Sequence, residues 1–437
     1  MLKRARTKGK VRRENGSVDK ALSKAKKIIE SEYTVPLLSH SPMETPCALA
    51  NVRDNTCEVW APVQDPQGVR KSLATALEID VKDVTVNVTL LGGAFGRKSK
   101  PDFVVEAALI SKNMGSPVKI LWTREDDLQH DFYHFPAAQY LKVGIDENNK
   151  VNAWLHRSVF PPIGGTAVPD FAEASSEELS MGMVDLPYAI DNICCETQQA
   201  KAKIRIGWLR SVANIHHAYA VGCTLDEIAE ARGIDPVQNL LDMLGTDRII
   251  DFKSISPEFW NYAESKADFP WDTARFRKVI ETAKEKSNWG KNLPKGSGQG
   301  ICAHRSFLTY VACVVEVTVD GNNIKIPKVD YVVDCGIPVN PERIKAQFEG
   351  GAAFAASLAL KSEITVTNGA VNQNNFNDYL VARMSDAPLE TAVHIMESNE
   401  KPTGVGEPPV PPFIPALCNA IYATTGKRIR QLPVRLV

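Results

Sequence analysis

Apolar and polar residues alternate strictly over residues 84–90, and this pattern predicts a half-buried β-strand. The strand runs into the glycine loop 92–98, and Pro101 opens a helix that is expected to end at Met114, before Gly115. A strand, a glycine loop and a helix N-terminus together present free amides to an anion. The spacing G-G-x-x-G is neither G-x-G-x-x-G nor the Walker pattern. The loop therefore indicates either another kind of phosphate-bearing ligand or a tight turn that requires positive φ.

The same periodicities predict further strands and helices in mixed order. Strands are expected at 33–35, 48–52, 57–62, 117–122, 140–145, 151–160, 310–319 and 325–333. Helices are expected at 18–32, 66–77, 212–231, 272–287, 341–360 and 415–425. Residues 161–210 are rich in loops, and the glycine-rich stretch 295–300 is typical of a linker. The predicted fold class is α+β, with two mixed α/β halves divided somewhere within 246–300.

Charge is balanced over the whole chain but not along it. The 437 residues carry a net charge of −1, so no global field recruits nucleic acid or an anionic membrane. Residues 1–30 hold eleven lysines and arginines against three acids. We interpret this stretch as a solvated, partly helical connector, with a nucleic-acid-binding arm as the alternative. The acids within 225–230 are expected to be solvated. No apolar run reaches the roughly 18 residues of a membrane-spanning helix.

The cysteines and histidines do not form a recognisable metal site. The nine cysteines include no C-x2-C pair, and the eight histidines include no H-E-x-x-H motif. If the protein uses a metal, its side chains are therefore not expected to be the main ligand set.

The stretch 404–409, Gly-Val-Gly-Glu-Pro-Pro, is the strongest candidate for catalysis. Glycines allow close approach of the backbone to a ligand, and prolines stiffen the chain that follows. Glu407 would thus be presented rigidly, as a general base requires. The alternative is a solvated carboxylate in a proline-rich turn before the helix 415–425.

Several motifs, in chain order from about residue 28 onward, carry a family resemblance. They are H-x-x-M-E at 40–44, E-V-W-A-P-x-Q at 58–64, G-G-A-F-G-R-K at 92–98, W-T-R-E-D-D at 122–127, G-W-L-R-S-V at 207–212, A-H-R-S-F-x-T-Y at 303–310, D-C-G at 334–336, Q-x-E-G-G at 347–351 and G-V-G-E-P at 404–408. In this combination the chain resembles the molybdenum hydroxylases, the xanthine dehydrogenase and aldehyde oxidase superfamily. It looks most like the large subunit of isoquinoline 1-oxidoreductase-type enzymes.

This resemblance implies two molybdopterin-binding halves with the cofactor between them. The expected organisation is a basic arm and connector helix at 1–32, a first half at 33–245, a connector at 246–300 and a second half at 301–437. The implied cofactor is molybdenum held by the dithiolene of molybdopterin, in the cytosine dinucleotide form. The implied partner is a small subunit with two [2Fe–2S] clusters, which passes electrons to a downstream acceptor. The chain itself has no cysteine run of ferredoxin spacing.

The resemblance also implies roles for individual residues. Glu407 is the expected catalytic base, acting on an isoquinoline-like N-heteroaromatic or an aldehyde. The expected cofactor-binding residues are Gln64, Gly92, Gly93, Ala94, Phe95, Gly96, Arg97, Arg210, Ser211, His304, Arg305, Ser306, Tyr310, Gln347, Gly404, Val405 and Gly406. No nucleic-acid partner and no transmembrane segment are expected, and the sequence leaves a cytoplasmic or periplasmic location open.

The chain departs from the family pattern in three places. The resemblance begins near the middle of the family's large subunit, so the upstream part is expected to be missing. The family's N-F-H-D-Y-P reads Asn-Phe-Asn-Asp-Tyr-Leu at 375–380, and Pro409 stands where glycine is common. These departures leave a non-catalytic cofactor-binding fragment, or one half of a split subunit, as the alternative to an enzyme.

Overall fold

Three main sheets and the helices between them make up the fold. A computed structural model describes residues 1–166, 168 and 170–436. The strands are β1 Lys10–Asn15, β2 Lys27–Val35, β3 Cys47–Arg53, β4 Thr56–Ala61, β5 Val84–Val88, β6 Val118–Leu121, β7 Ala137–Ile145, β8 Val151–Val159, β9 Asn192–Thr197, β10 Ile249–Ile250, β11 Trp271–Asp272, β12 Ser297–Ser306, β13 Thr309–Asp320, β14 Asn323–Asp334, β15 Val366–Thr367, β16 Ala370–Val371 and β17 Glu390–Ile395. The helices are α1 Leu2–Ala5, α2 Val18–Ser23, α3 Pro66–Leu77, α4 Asp102–Met114, α5 Arg124–Gln129, α6 Ser176–Leu179, α7 Asn214–Arg232, α8 Pro236–Leu244, α9 Phe252–Ile255, α10 Thr273–Lys286, α11 Pro341–Leu360 and α12 Val410–Thr425.

The first half of the chain contains two of the sheets. A five-stranded sheet has the order β1-β9-β8-β7-β2, in which only β8 and β9 run parallel. A four-stranded sheet has the order β5-β4-β3-β6, and α3 and α4 cover one of its faces around a separate small core. The glycine loop that leaves β5 and enters α4 lies beside this second sheet, as the alternation predicted.

The second half contains the third sheet, with the order β12-β13-β14-β17. Helix α12 packs across β12 and β13 and also contacts α7 from the first half. One hydrophobic core runs from Tyr33 to Val434 and joins the two halves. The two halves therefore share one core.

Two predicted elements differ from the structure. The helix predicted over 18–32 ends at Ser23, and Lys27–Val35 form β2, where burial alternates along the strand towards Tyr33 and Val35. Residues 1–32 are thus not a solvated connector, since β1 pairs with β9 inside the five-stranded sheet. The charged residues of β1 suggested a solvated segment, but the Arg13 guanidinium is buried and donates to backbone carbonyls at 2.9 and 3.0 Å.

The supposed linker 295–300 is also structured, because β12 begins at Ser297. Its glycines serve close packing, since a Cβ on Gly300 would lie 2.2 Å from the carbonyl oxygen of Ala416 in α12. Strands β9 and β17 and helix α8 were not predicted from the sequence.

Asp226 and Glu227 of α7 are paired and not solvated, which contradicts the sequence-based expectation for them, whereas Glu230 is exposed as expected. Asp226 forms an ion pair with Arg428. Glu227 accepts hydrogen bonds at 2.8 Å from Ser31 and from Arg430. The sequence could not show this because the C-terminal segment folds back across about 200 positions to meet the helix. None of the helices in the described ranges is long and apolar enough to cross a membrane.

Candidate active site

A cavity of about 920 Å³ lies where loops from both halves converge. Its walls come from the end of β4, the glycine loop, the loop before α7, the turn between β12 and β13, helix α11 and the loop before α12. The residues that line it are Gln64, Asp65, Gly68, Ser72, Ala94, Phe95, Gly96, Ser99, Lys100, Pro101, Met181, Trp208, Leu209, Arg210, Val212, Trp260, Phe307, Gln347, Gly406 and Glu407.

Glu407 is held on the cavity wall by Ser211. The backbone amide of Ser211 donates to Oε1 of Glu407 at 2.8 Å, and the Ser211 hydroxyl donates to the Glu407 carbonyl oxygen at 2.8 Å. Ser211 and Val212 have φ values of 84° and 50°, which non-glycine residues adopt rarely. Backbone strain of this kind is concentrated at functional sites, where the surroundings impose it. Among the described residues, Oε2 of Glu407 accepts no hydrogen bond.

Burial controls the acidity of Glu407. Desolvation raises the pKa of its carboxyl group, while the Ser211 amide and the positive charge of Arg210 oppose the rise. Arg210 is itself fixed, because its Nε donates to the Gly406 carbonyl at 2.7 Å and its Nη2 to the Gln347 carbonyl at 3.0 Å. The result is a carboxylate whose pKa is shifted towards neutrality and whose position is set by two loops.

Ala94, Phe95 and Gly96 of the glycine loop line the cavity. Phe95 and Gly96 have φ values of 56° and 111°. The Gly96 amide donates to the side-chain oxygen of Gln64 at 3.2 Å. Within the described residues, the amides of Gly93, Ala94 and Phe95 donate to no protein acceptor. Backbone donors without a protein partner can bind ligand oxygen atoms, so the amides of the cavity-lining Ala94 and Phe95 are suited to such a ligand.

The glycine loop and the loop before α7 are packed directly on each other. A Cβ on Gly96 would lie 1.7 Å from the carbonyl oxygen of Trp208, so only glycine fits there. The Arg210 amide donates to the Phe95 carbonyl at 2.9 Å. His40 stabilises the contact between the two loops, since its Nε2 donates to the Trp208 carbonyl at 2.5 Å. Because Asp131 faces the other ring nitrogen of His40 at 3.0 Å, the ring orientation is fixed.

The structure brings part of the predicted set together at the cavity and places the rest elsewhere. The predicted residues on the cavity wall are Gln64, Ala94, Phe95, Gly96, Arg210, Gln347, Gly406 and Glu407. Those that do not line it are Gly92, Gly93, Arg97, Ser211, His304, Arg305, Ser306, Tyr310, Gly404 and Val405.

Several residues in the second group have other roles. Arg97 is fully buried and pairs with Asp102 at 2.9 Å and with Asp131 at 3.2 Å. The Tyr310 hydroxyl accepts from the Asp272 amide at 2.7 Å and lies within the core. His304 forms a hydrogen bond with the Asn214 side chain, which in turn donates to the Ser211 carbonyl. His304 therefore contacts the site only indirectly, through Asn214 and Ser211.

Sequence reasoning missed several residues of the cavity wall. Trp208 and Phe307 lie inside quoted motifs, so their aromatic character next to Arg210 and Ser306 was the available signal. Met181, Trp260 and Lys100 carry no such signal, since only the tertiary structure brings their segments to the cavity. In the described part of the chain, no group of three or more His, Cys, Asp or Glu side chains is arranged to hold a metal ion.

Comparison with known proteins identifies the family. A model of the molybdopterin cofactor-binding domain matches residues 3–239, and a second model of that description matches residues 258–388. The chain belongs to the molybdenum hydroxylase family. The predicted family membership and fold class are therefore confirmed, and the family consists of molybdopterin-binding oxidoreductases.

Three curated relatives cover nearly the whole chain. It is 32% identical to a membrane-bound aldehyde dehydrogenase (pyrroloquinoline-quinone) from Gluconacetobacter polyoxogenes, over 96% of this chain and 54% of the relative. It is 28% identical to the isoquinoline 1-oxidoreductase beta subunit from Brevundimonas diminuta, over 97% of this chain and 52% of the relative. It is 24% identical to a nicotinate dehydrogenase subunit from Pseudomonas putida, over 96% of this chain and 35% of the relative. The chain thus spans about half the length, or less, of these relatives.

Two solved structures share the fold. Quinoline 2-oxidoreductase from Pseudomonas putida 86 superposes with a TM-score of 0.79 at 14% identity, over 97% of this chain and 77% of that chain. Aldehyde oxidoreductase from Desulfovibrio gigas superposes with a TM-score of 0.78 at 14% identity, over 98% of this chain and 62% of that chain. At this identity the likeness shows the fold alone.

Proposed function

We propose that this chain is the cofactor-binding and catalytic part of a molybdenum hydroxylase that oxidises an aldehyde or an N-heteroaromatic compound. One observation carries the proposal. The Glu407 carboxylate shares a single cavity with Gln64 and with the free amides of the glycine loop. The aldehyde- and isoquinoline-related names of the relatives support these two substrate classes.

The residues on the cavity wall fit an oxygen-rich cofactor. The unpaired amides of Ala94 and Phe95 are suited to ligand oxygens, and Gln64 is positioned by its bond to the Gly96 amide. A Cβ on Gly406 would meet no atom within 4 Å, so the backbone there borders open space. When bound, molybdenum with molybdopterin supplies the two-electron oxidation and the electron path out of the site. We propose the cytosine dinucleotide form of the pterin.

Glu407 acts in this proposal as the general base. Its Oε1 is committed to the Ser211 amide, so the proton is accepted at Oε2. The raised pKa makes the carboxylate a stronger base than a solvated glutamate, while the Ser211 bond limits the rise. Trp208, Trp260 and Phe307 provide aromatic surface for a planar substrate and keep water from the base.

We further propose that electrons leave through a small subunit with two [2Fe–2S] clusters and then reach a downstream acceptor. The printed name of one relative, a beta subunit, supports a multi-subunit assembly. Residues 33–245 and 301–437 would be the two cofactor-binding halves. The alternative is a cofactor-binding chain without turnover, which is supported by the limited share of the relatives that the chain spans.

The test compares Glu407→Gln with the wild-type chain, both produced in a host that makes molybdopterin. The exposed Glu397 provides the matched control Glu397→Gln. Molybdenum and pterin content are measured first, and then the oxidation of benzaldehyde and isoquinoline with an artificial electron acceptor. Loss of a general base lowers kcat by about 10²- to 10⁴-fold.

Four results distinguish the possibilities. Loss of turnover in Glu407→Gln with unchanged molybdenum content supports the proposal. Full activity in that variant removes Glu407 from the role of base. A wild-type chain that binds molybdenum and pterin but oxidises neither compound favours the non-catalytic alternative, and a chain that binds neither contradicts both.

A further inference from the structure

Lys100 lies on the wall of the same cavity as Glu407, at the side formed by Trp208 and the N-terminal part of α3. Its ammonium group lies 4.1 Å from the centre of the Trp208 ring and 5.3 Å from that of Phe132. Both rings attract a cation through their π faces. They also remove part of its hydration, because the lysine is half-buried.

Lys100 lies in a cluster of positive charge whose carboxylates pair with the neighbouring arginines, Asp102 with Arg97 and Arg205 and Asp131 with Arg97. Three cations surround the Phe132 ring, since Arg97 and Arg205 lie 5.3 and 4.5 Å from its centre. Their shared carboxylate is Asp102, which pairs with Arg97 at 2.9 Å and with Arg205 at 3.5 Å. Even so, Nη2 of Arg205 is buried without a hydrogen-bond partner.

Lys100 itself has no partner in the part of the chain that the structure describes. Its ammonium group has no carboxylate within 4.0 Å and donates no hydrogen bond. The two acids on the cavity wall are engaged elsewhere. Asp65 accepts from the Gly68 amide at 2.9 Å as the cap of α3, and Glu407 accepts from Ser211.

The pKa of Lys100 reflects its burial and the neighbouring charges. Burial lowers the pKa, Asp102 opposes the change, and the positive charge of Arg97 lowers it further. A bound anion would raise the pKa of Lys100, because it favours the charged ammonium. An ammonium that borders a cavity without a counter-charge is therefore a position where an anionic ligand gains a charge-assisted hydrogen bond.

We propose that Lys100 is the anion-recognition group of this cavity and binds a carboxylate or phosphate oxygen of a ligand that also reaches Glu407. The inference rests on the proposed function, because it assigns a substrate class to the same site. The anion is either a carboxylate on the substrate, remote from the carbon that is oxidised, or a phosphate of the molybdopterin cofactor. In the first case the substrate is an aldehyde or heteroaromatic acid whose ring packs against Trp208.

The experiment uses the cofactor-loaded chain and its variants Lys100→Met and Lys100→Arg. Lys119→Met is the matched control, because Lys119 is exposed on β6 and does not line the cavity. Three quantities are measured: molybdenum and pterin content, the ratio of kcat/KM for 4-formylbenzoate to that for benzaldehyde, and the Kd of benzoate by calorimetry. The benzoate titration requires no turnover, so it remains informative if the proposed oxidation fails.

A substrate carboxylate predicts an about tenfold fall in the kcat/KM ratio and an about tenfold rise in the benzoate Kd for Lys100→Met, with unchanged cofactor content. Lys100→Arg would keep both the kcat/KM ratio and the benzoate Kd close to their wild-type values. A cofactor phosphate predicts reduced molybdenum and pterin content in Lys100→Met, with the ratio unchanged. The proposal is overturned if Lys100→Met matches Lys119→Met in all three quantities. If the wild-type chain oxidises neither these aldehydes nor isoquinoline, the proposed function fails, and cofactor content with benzoate binding still decides the role of Lys100.

Discussion

The backbone amide of Ser211 donates a 2.8 Å hydrogen bond to the carboxylate of Glu407, 196 positions away in the sequence. The Ser211 hydroxyl donates to the Glu407 carbonyl oxygen, so one strained residue holds both the side chain and the backbone of the proposed base. The acidity and the position of Glu407 therefore depend on a loop from the first half of the chain.

Ser211→Ala should slow turnover and shift its pH dependence. The substitution removes the hydroxyl bond, so the loop holds Glu407 less firmly, and a net loss of about 1 kcal/mol lowers kcat/KM by about fivefold. A weaker amide bond also favours the protonated carboxyl, which moves the acid limb of the kcat/KM profile to higher pH. Steady-state rates across the pH range test this. An acid limb at the wild-type position would show that Ser211 does not control Glu407.

Asn214 and His304 should act on the base through Ser211. The Asn214 side chain donates to the Ser211 carbonyl at 3.0 Å, and His304 Nε2 donates to the Asn214 side-chain oxygen at 2.8 Å. Asn214→Ala leaves His304 Nε2 buried without a partner, whereas the Ser211 carbonyl still accepts from the Asn214 backbone amide at 3.0 Å. The free energy of unfolding should therefore fall by about 1–3 kcal/mol. Urea denaturation measures the loss.

The conservative variant His304→Gln separates positioning from packing. A glutamine amide can replace the Nε2 donor, so this variant should keep the wild-type pH profile for kcat/KM, whereas His304→Leu should move the acid limb in the same direction as Ser211→Ala. Identical pH profiles for the wild type and both His304 variants would contradict the positioning role.

His156 should make the protein less stable as the pH falls. Burial lowers the pKa of His156 to about 3, whereas an unfolded histidine titrates near pH 6.5. The unfolded chain thus binds a proton that the folded chain does not, so this contribution is complete above about pH 6.5 and is lost as the pH falls towards 3. His156→Gln keeps the bond to Gln139 and removes the titration. As the pH falls below 6.5, the wild type should lose about 1 kcal/mol of unfolding free energy per pH unit more than this variant does.

Asp131→Asn should disrupt the support beneath the site. Burial disfavours the Asp131 carboxylate, but His40 and Arg97 outweigh that effect and hold its pKa below the usual range. Without the charge, Arg97 and His40 stay buried with poorer partners. Removing one member of a buried ion pair lowers the free energy of unfolding by about 3–5 kcal/mol. Thermal denaturation measures this loss. The exposed Asp54 gives the control Asp54→Asn, and equal stability of the two variants would contradict the role.

Local signals predicted the elements whose ends are marked within the sequence. Helix α3 begins at Pro66 and α11 at Pro341, as predicted, and the preceding Asp65 and Asn340 each accept a backbone amide as the cap. The errors occurred where packing overrides such signals. Lys27–Val35 contains enough charge to suggest a helix, but it pairs with β7, and the glycines of β12 lie against α12 because a larger residue would not fit.

The sequence by itself determined the candidate base, the glycine loop and the family resemblance, because each depends on residues that are neighbours in the chain. Only the tertiary structure determined which predicted residues face the cavity. Arg97 turns inward to Asp131, while Lys100, three positions later, borders the cavity beside Trp208. Side-chain direction at such positions follows from contacts between distant segments, and no local pattern contains them. Glu407 was identifiable from Gly404–Pro409, but its hydrogen bond to Ser211 exists only because the two halves fold around one core.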